Sequence, residues 1–234
     1  VADNPLVWER PEPPERRVPS PLSRERIVQA AVTLADAEGL EAVSLRKVAG
    51  ALDAGPMRLY RYVDTKEELL ELMVDAVYGE IPAPTGSTWA DVLRSIANGI
   101  RDAALRHEWF ADLLGGRPHF GPATLAHTEA SLSALRAAGI DDVDTMMGVI
   151  EALDLYLIGA VRKVVTERRA ERASGQNERE WQAKTFPYLS RMFAAGHYPT
   201  LEKTIHDAHH RSADEVFELG LSYLLDGMSH RLQR

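Results

Sequence analysis

The cations and phenols between Ser44 and Lys66 carry the chemistry of phosphate and base-edge recognition. In SLRKVAGALDAGPMRLYRYVDTK, Arg46, Lys47, Arg58, Arg61 and Lys66 stand against only Asp53 and Asp64, a local excess of three positive charges in a chain of net charge −8. Guanidinium groups suit the O6 and N7 acceptors of guanine, while ammonium groups, hydroxyls and helix N-terminal amides suit phosphates. Phenols such as Tyr60 and Tyr62 add one hydrogen bond and a flat face for ribose. The rest of the chain shows no nucleophile–base pair, paired-carboxylate motif or nucleotide loop, so neither enzymatic activity nor a cofactor is expected. Gly115-Gly116 is not followed by Gly-Lys-Ser/Thr and reads as a helix stop rather than a phosphate cradle.

The elements that position these residues follow from periodicity and caps. Apolar residues recur at helical spacing from Ile27, Ala30, Ala31, Leu34 and Ala35 onward, and no sustained alternation of the strand kind appears, so the expected fold class is all-α. Ser23 caps a first helix over 24–38 that Gly39 stops. Ser44 caps a second, LRKVAGAL, and after the break at Asp53, Ala54 and Gly55 a third, PMRLYRY, opens on Pro56. Two short helices joined by a three-residue break and packed on a longer one make a helix-turn-helix, with Leu45, Val48, Leu52, Leu59 and Val63 as its core. A fourth helix begins at Thr65, where TKEE forms a capping box with Glu68, and ends at Pro82 and Pro84. Further helices are expected over 89–107, 110–114, 122–138 and 143–172. An amphipathic segment over 181–194 and a final helix capped by the SADE box at Ser212 follow.

Composition narrows the setting. At 234 residues, with 45% hydrophobic and 26% charged residues, the chain is that of a globular protein, and its lack of cysteine excludes disulfides and thiolate metal sites. Its acidic balance argues against broad charge-driven nucleic-acid binding but leaves room for a local basic patch. No apolar run suits a membrane span and the first residues lack signal-peptide features, so a cytoplasmic location without membrane association is expected. Residues 1–22 hold Pro5, Pro11, Pro13, Pro14, Pro19 and Pro21 and read as a flexible arm. The expected domains are then 23–80, with the helix-turn-helix and its linking helix, and 87–234.

The stretch GLEAVSLRKVAGALDAGPMRLYRYVDTKEELLELMVDAV resembles the DNA-binding region of the TetR family of bacterial repressors, over residues 23–77 and most specifically in LYRYVDTKEELL. The remaining chain is similar to the helical ligand-binding and dimerisation domain of the tetracycline-repressor branch. The resemblance implies an N-terminal three-helix DNA-binding domain joined by a linking helix to a helical effector and dimerisation domain. It implies a homodimeric, ligand-responsive repressor on a pseudo-palindromic double-stranded operator, released by a small-molecule effector. By position Arg46, Met57 and Arg58 are base readers, Tyr60 and Tyr62 hold phosphate or sugar, and Ser44 and Lys66 meet phosphates. Asp53-Ala54 stands where many relatives have Gly-Val, and Gly55 where many have Ser or Thr, so sequence preference should differ.

Trp109, Phe110, Phe120, His127, Met146, Met147, Ile150 and Tyr156 are candidates for an effector pocket suited to an aromatic or lipophilic ligand, with ordinary core packing as the alternative. Asp154 is either a buried hydrogen-bonded carboxylate or an outer-face residue. Phe217, Gly220, Leu221, Leu224, Gly227 and Met228 recur at three- and four-residue intervals on the last helix. The resemblance makes them a dimer interface within a four-helix bundle; an intrachain core is the alternative. HDAHH at residues 206–210 reads as a solvated connection, and no metal is expected. The competing readings are a DNA-binding dimer without an effector and an enzyme in the helical domain.

Overall fold

The computed structural model describes residues 6–13 and 22–232. Among these residues it contains eleven α-helices and no strand, as the periodicity predicts. The chain divides into two compact units, one ending at Val161 and the other beginning at Arg162.

The first unit opens with α1 (Arg24–Glu38), whose Ser23 hydroxyl accepts from the Arg26 amide at 3.2 Å and whose Ile27, Val28, Ala31, Val32 and Ala35 are buried. A short 3₁₀ turn, Leu40–Ala42, leads to α2 (Leu45–Ala51) and α3 (Pro56–Leu59). The turn between them places Asp53 at φ 49°, a left-handed conformation that costs an ordinary L-residue about 1–2 kcal/mol and that Asp tolerates better than most. The third helix is shorter than PMRLYRY suggests. Beyond Leu59 the backbone tightens, and the amides of Arg61 and Tyr62 reach the carbonyls of Arg58 and Leu59 at 3.3 and 2.8 Å. Leu45, Val48, Leu59 and Val63 are buried as expected, but Leu52 is only half-buried, because α2 ends at Ala51 and Leu52 turns towards the surface.

Helix α4 (Lys66–Glu80) organises this unit, packing against α1, α5 (Trp89–Arg106), α6 (Phe110–Leu113) and α7 (Pro122–Ala137). Its Leu69, Leu72, Met73, Val74 and Val77 are buried, each worth about 1.5–3 kcal/mol when fully removed from water. Among them sits Asp75, buried yet satisfied. Its carboxylate accepts the Thr124 amide at 2.8 Å, the Thr124 hydroxyl at 3.0 Å and the Ala123 amide at 3.2 Å, capping α7 from another helix. The first part of α8 (Val143–Ser174) completes the unit, with Leu153, Leu157 and Val161 buried.

The second unit holds the rest of α8, α9 (Glu178–Ala194), α10 (Pro199–Asp207) and α11 (Ala213–Leu232). Helix α9 starts one turn before the expected Trp181, through a capping box in which Asn177 and Glu180 bond each other's amides at 2.9 and 3.0 Å. Helix α10, which the sequence reading did not anticipate, has no buried residue. The SADE box forms as expected: Ser212 accepts the Glu215 amide at 3.2 Å and Glu215 accepts that of Ser212 at 2.7 Å.

The Asp75 cap requires glycine before α7, since a Cβ on Gly121 would overlap the Asp75 carboxylate. Gly121→Ala is expected to lower the unfolding free energy by about 1–3 kcal/mol, the range for overpacking a buried site. Urea denaturation measures it.

Candidate functional site

The basic face is built on α2, α3 and the start of α4. The Ser44 hydroxyl is engaged as a cap, accepting the Lys47 amide at 3.2 Å. Arg46, Arg58 and Arg61 are exposed and form no ion pair with a described residue, whereas Lys47 donates to Glu38 at 2.8 Å. Met57, 77% exposed, stands beside Arg58 on the first turn of α3. Tyr60 is exposed, and Tyr62 and Lys66 are half-buried. The residue types singled out in the sequence thus share one short segment, with the apolar Leu59 and Val63 directed inward between them.

The N-terminal segment adds a residue the sequence reading passed over. Residues 1–5 and 14–21 of the expected arm lie outside the described residues, but within 6–13 the chain is anchored: Val7 is buried and Arg10 forms ion pairs with Asp64 and Glu68. The Arg24 guanidinium bridges this strap to the site, donating to the Arg10 carbonyl at 2.7 Å and the Tyr62 carbonyl at 3.2 Å. Arg10 thereby neutralises the two carboxylates that flank Lys66. It also alters the expected capping box. Thr65 accepts the Glu68 amide at 3.1 Å, but Glu68, turned towards Arg10, accepts the Asp64 amide at 2.8 Å instead of that of Thr65.

A polar joint connects α1 to the far end of α4. Asp36 accepts from the indole of Trp109 at 2.8 Å and faces His107 Nδ1 at 2.9 Å. The other His107 nitrogen meets Glu80 at 3.0 Å, and Arg106 donates to Glu80 at 3.2 Å. Trp109 therefore acts as a buried strut rather than a pocket wall.

A cavity of about 260 Å³ opens beside this joint, walled by α4 (Tyr78), α5 (Ile100), α6 and its following loop (Phe110 to His119), α7 (Thr124) and α8 (Asp154, Leu157, Ile158). Tyr78 and Phe110 form an edge-to-face aromatic corner, with ring centroids 5.6 Å apart. Burial, then the charge of Asp154, pushes the Tyr78 phenol up to about 12, so it stays protonated. Asp154 is exposed at the cavity wall; desolvation by the protein around it and then the neighbouring Glu151 push its carboxyl up to about 6. Gly115 is doubly constrained, with φ 79° and a hypothetical Cβ only 2.8 Å from Ile158 Cδ1.

Of the eight expected pocket residues, Phe110 alone lines this cavity. Met146 is core, Phe120 and Met147 face outward, and Ile150 and Tyr156 are half-buried. Tyr156 is out of phase with the face that Asp154, Leu157 and Ile158 share, whereas Ile150 and Met147 lie on the continuation of that face, one and two turns before the stretch that lines the cavity. His127 is buried against Tyr78, with centroids 5.7 Å apart, and neither ring nitrogen has a hydrogen-bond partner among the described residues. Burial lowers its pKa and keeps it neutral at pH 7.

On α11, Phe217 and Leu221 are buried within the single chain and cannot offer their side chains to a partner. Gly220, Leu224 and Met228 are half-buried and Gly227 is exposed, while Val216 and Tyr223, absent from the expected set, are exposed large apolar residues. His206 lies in the last turn of α10, with His209 and His210 in the coil beyond, and no group of three potential metal ligands gathers among the described residues.

Comparison with known proteins accords with this geometry. The family profile for "Bacterial regulatory proteins, tetR family" matches residues 27–73, and that for "Tetracyclin repressor-like, C-terminal domain" matches residues 81–232. The chain is 36% identical to the HTH-type transcriptional repressor DrrR1 of Streptomyces coeruleorubidus, over 95% of this chain and 83% of that protein. It is 34% identical to an HTH-type transcriptional regulator of Saccharopolyspora erythraea, over 95% of this chain and 91% of the relative. The structure of ActR from Streptomyces coelicolor in complex with actinorhodin superposes with a TM-score of 0.73 at 27% identity, covering 89% of this chain and 96% of that one.

The strap is testable apart from any ligand. Arg10→Ala is expected to cost about 1–2 kcal/mol of stability, between the values for exposed and buried ion pairs. Adding Glu68→Gln should recover part of the loss. A double-mutant cycle by urea denaturation measures the coupling, and a coupling of zero would dismiss the pair as a stabilising contact.

Proposed function

The chain belongs to the TetR family of bacterial regulators, and from that premise we propose that it is a dimeric transcriptional repressor released from its operator by a small molecule in the α4–α8 cavity. One observation carries the reading: a single helix, α4, presents Lys66 to the basic face and Tyr78 to the cavity. These residues lie roughly 18 Å apart along the helix axis, at about 1.5 Å rise per residue. A ligand that displaces Tyr78 tilts a helix packed on α1, which in turn carries α2 and, through it, α3. Its leverage is bounded by its differential affinity for the two positions of α4.

In this reading residues 23–80 bind DNA and 87–234 bind the effector and the second copy. Arg46, Met57 and Arg58 read base edges; Ser44, Tyr60, Tyr62 and Lys66 hold the backbone. Two copies whose α3 helices sit about 34–36 Å apart meet successive major grooves of a pseudo-palindromic operator. The actinorhodin complex of ActR supports ligand control. Operator binding places the protein in the cytoplasm, and no described helix is long and apolar enough to cross a membrane. Regulators as relatives support a non-enzymatic role.

Selection of genomic fragments by the purified protein, followed by footprinting, tests DNA binding; release by small molecules separates this reading from a dimer without an effector. Arg58→Ala is expected to weaken operator binding by about 1–3 kcal/mol and relax preference at one base position per half-site. Lys66→Ala should weaken cognate and scrambled DNA alike and lower the salt slope by about 1. Titrations at several salt concentrations distinguish the two.

The dimer is assigned to the outward face of α11, where Val216, Gly220, Tyr223, Leu224 and Gly227 recur at helical spacing. Gly227 has open space around its Cα, as a close helix approach requires. Tyr223→Glu is expected to give a folded monomer at micromolar concentration in sedimentation, because it buries an unpaired charge at the contact. A dimer of unchanged affinity would move the interface elsewhere.

A further inference from the structure

The strap over residues 6–13 is fastened to one short stretch of the basic face, residues 62–68. It first closes on itself: the Glu9 amide donates to the Leu6 carbonyl at 2.9 Å, the Leu6 amide to the Glu9 carboxylate at 3.1 Å, and Val7 is buried. Glu12 then accepts the Arg24 amide at 3.3 Å, and the Arg24 guanidinium ties the Arg10 carbonyl to that of Tyr62. The Arg10 guanidinium divides its fork, with one nitrogen on Asp64 and the other on Glu68. Glu9 and Glu12 outnumber Arg10 in the strap, so as a whole it repels phosphate. Arg10 itself is only 18% exposed and spends its donors on the two carboxylates. Its effect on DNA binding must therefore pass through its partners.

Glu68 is the partner that matters most. Three residues after the Thr65 cap, it stands where a capping box returns its carboxylate to the amide of the cap residue. Paired with Arg10, it accepts the Asp64 amide at 2.8 Å instead, and the Thr65 amide makes no hydrogen bond with a described residue. An unpaired amide at a helix start takes one acceptor, either a carboxylate of its own chain or a phosphate from outside. Charge points the same way. Asp64, Lys66 and Glu68 together leave one negative charge, which Arg10 cancels; without it, a phosphate nearing Lys66 meets net repulsion.

We propose that Arg10 is a positioning residue for DNA binding: it holds Glu68 off the start of α4, so that a DNA phosphate and not a carboxylate of the chain takes the Thr65 amide beside Lys66. The proposal rests on the reading of the basic face as the DNA-binding surface, and adds to that surface a residue that never touches DNA. Loss of Arg10 lets Glu68 swing back into the ordinary capping box and close the position to phosphate. The strap thus does more than brace the fold.

The test uses the full chain and a fluorescein-labelled duplex of scrambled sequence, because a phosphate contact does not depend on the bases. Arg10→Ala is expected to weaken binding by about tenfold at about 50 mM salt, each of two half-sites losing about threefold. The loss should shrink at about 0.5 M salt, where screening removes the repulsion. In a Glu68→Ala background the same change should cost less than about threefold in all, because no carboxylate remains to close on the Thr65 amide. Hydrogen exchange at that amide, followed by NMR without DNA, is expected to be fast in the wild type and slowed in Arg10→Ala. A purely structural strap would lower stability in urea and leave the amide as it was. Unchanged affinity in Arg10→Ala, an equal loss in both backgrounds, or a Thr65 amide already protected in the wild type overturns the assignment, and the last requires no variant to fold. Failure of the wild type to bind any duplex overturns the proposal together with the DNA-binding reading.

Discussion

The buried carboxylate of Asp75 fixes the arrangement on which the rest of the first unit depends. It belongs to α4 but caps α7, accepting three hydrogen bonds from Ala123 and Thr124. A polar side chain among Leu72, Met73 and Val74 is tolerable only while those donors are in place, because a buried polar group without partners costs its full desolvation. Helix α4 is thereby tied to α7 at one register, and Gly121 provides the only clearance that permits it. The cavity wall beside Thr124 inherits its geometry from this contact.

From that anchor the two ends of α4 face different chemistry. At its N-terminus Lys66 lies among acceptor-seeking groups, and Arg10 removes the penalty of having Asp64 and Glu68 nearby. At its C-terminus Glu80 joins His107 and Arg106, while Asp36 of α1 holds Trp109. These polar joints act over short range and in definite directions, unlike the apolar contacts of Leu69 and Val77, which resist separation more than sliding. A displacement of α4 would have to strain or exchange them. They are therefore where the resistance to such a displacement resides.

The cavity draws its walls from five helices and one loop, and its polar groups come from different elements: Tyr78 from α4, Arg117 and His119 from the loop, Asp154 from α8. Such dispersal explains why the cavity's chemistry is invisible in any single segment of the chain.

The sequence alone determined the helices of the first unit and the composition of the basic face. Caps at Ser23, Ser44 and Thr65, Pro56 at a helix start, and apolar spacing along α1 and α4 are local signals, decided by interactions within a few residues. Arg46, Met57, Arg58 and Tyr60 were legible because α2 and α3 are so short that their exposed residues follow from the few that must be buried. Tertiary structure decided the remainder. Whether Trp109 lines a pocket or braces Asp36, whether Phe217 faces a partner or its own core, and which face of α8 meets the cavity all depend on long-range packing, to which helical periodicity is blind. The Arg10–Glu68 pair joins residues 58 positions apart and overrode the local capping box, because a charge partner brought by the fold competed successfully with one backbone amide. Asp154 posed the same ambiguity: Ile150, Leu153, Leu155, Leu157 and Ile158 surround it in sequence, and only the placement of α4 and α6 around α8 set it into a cavity wall.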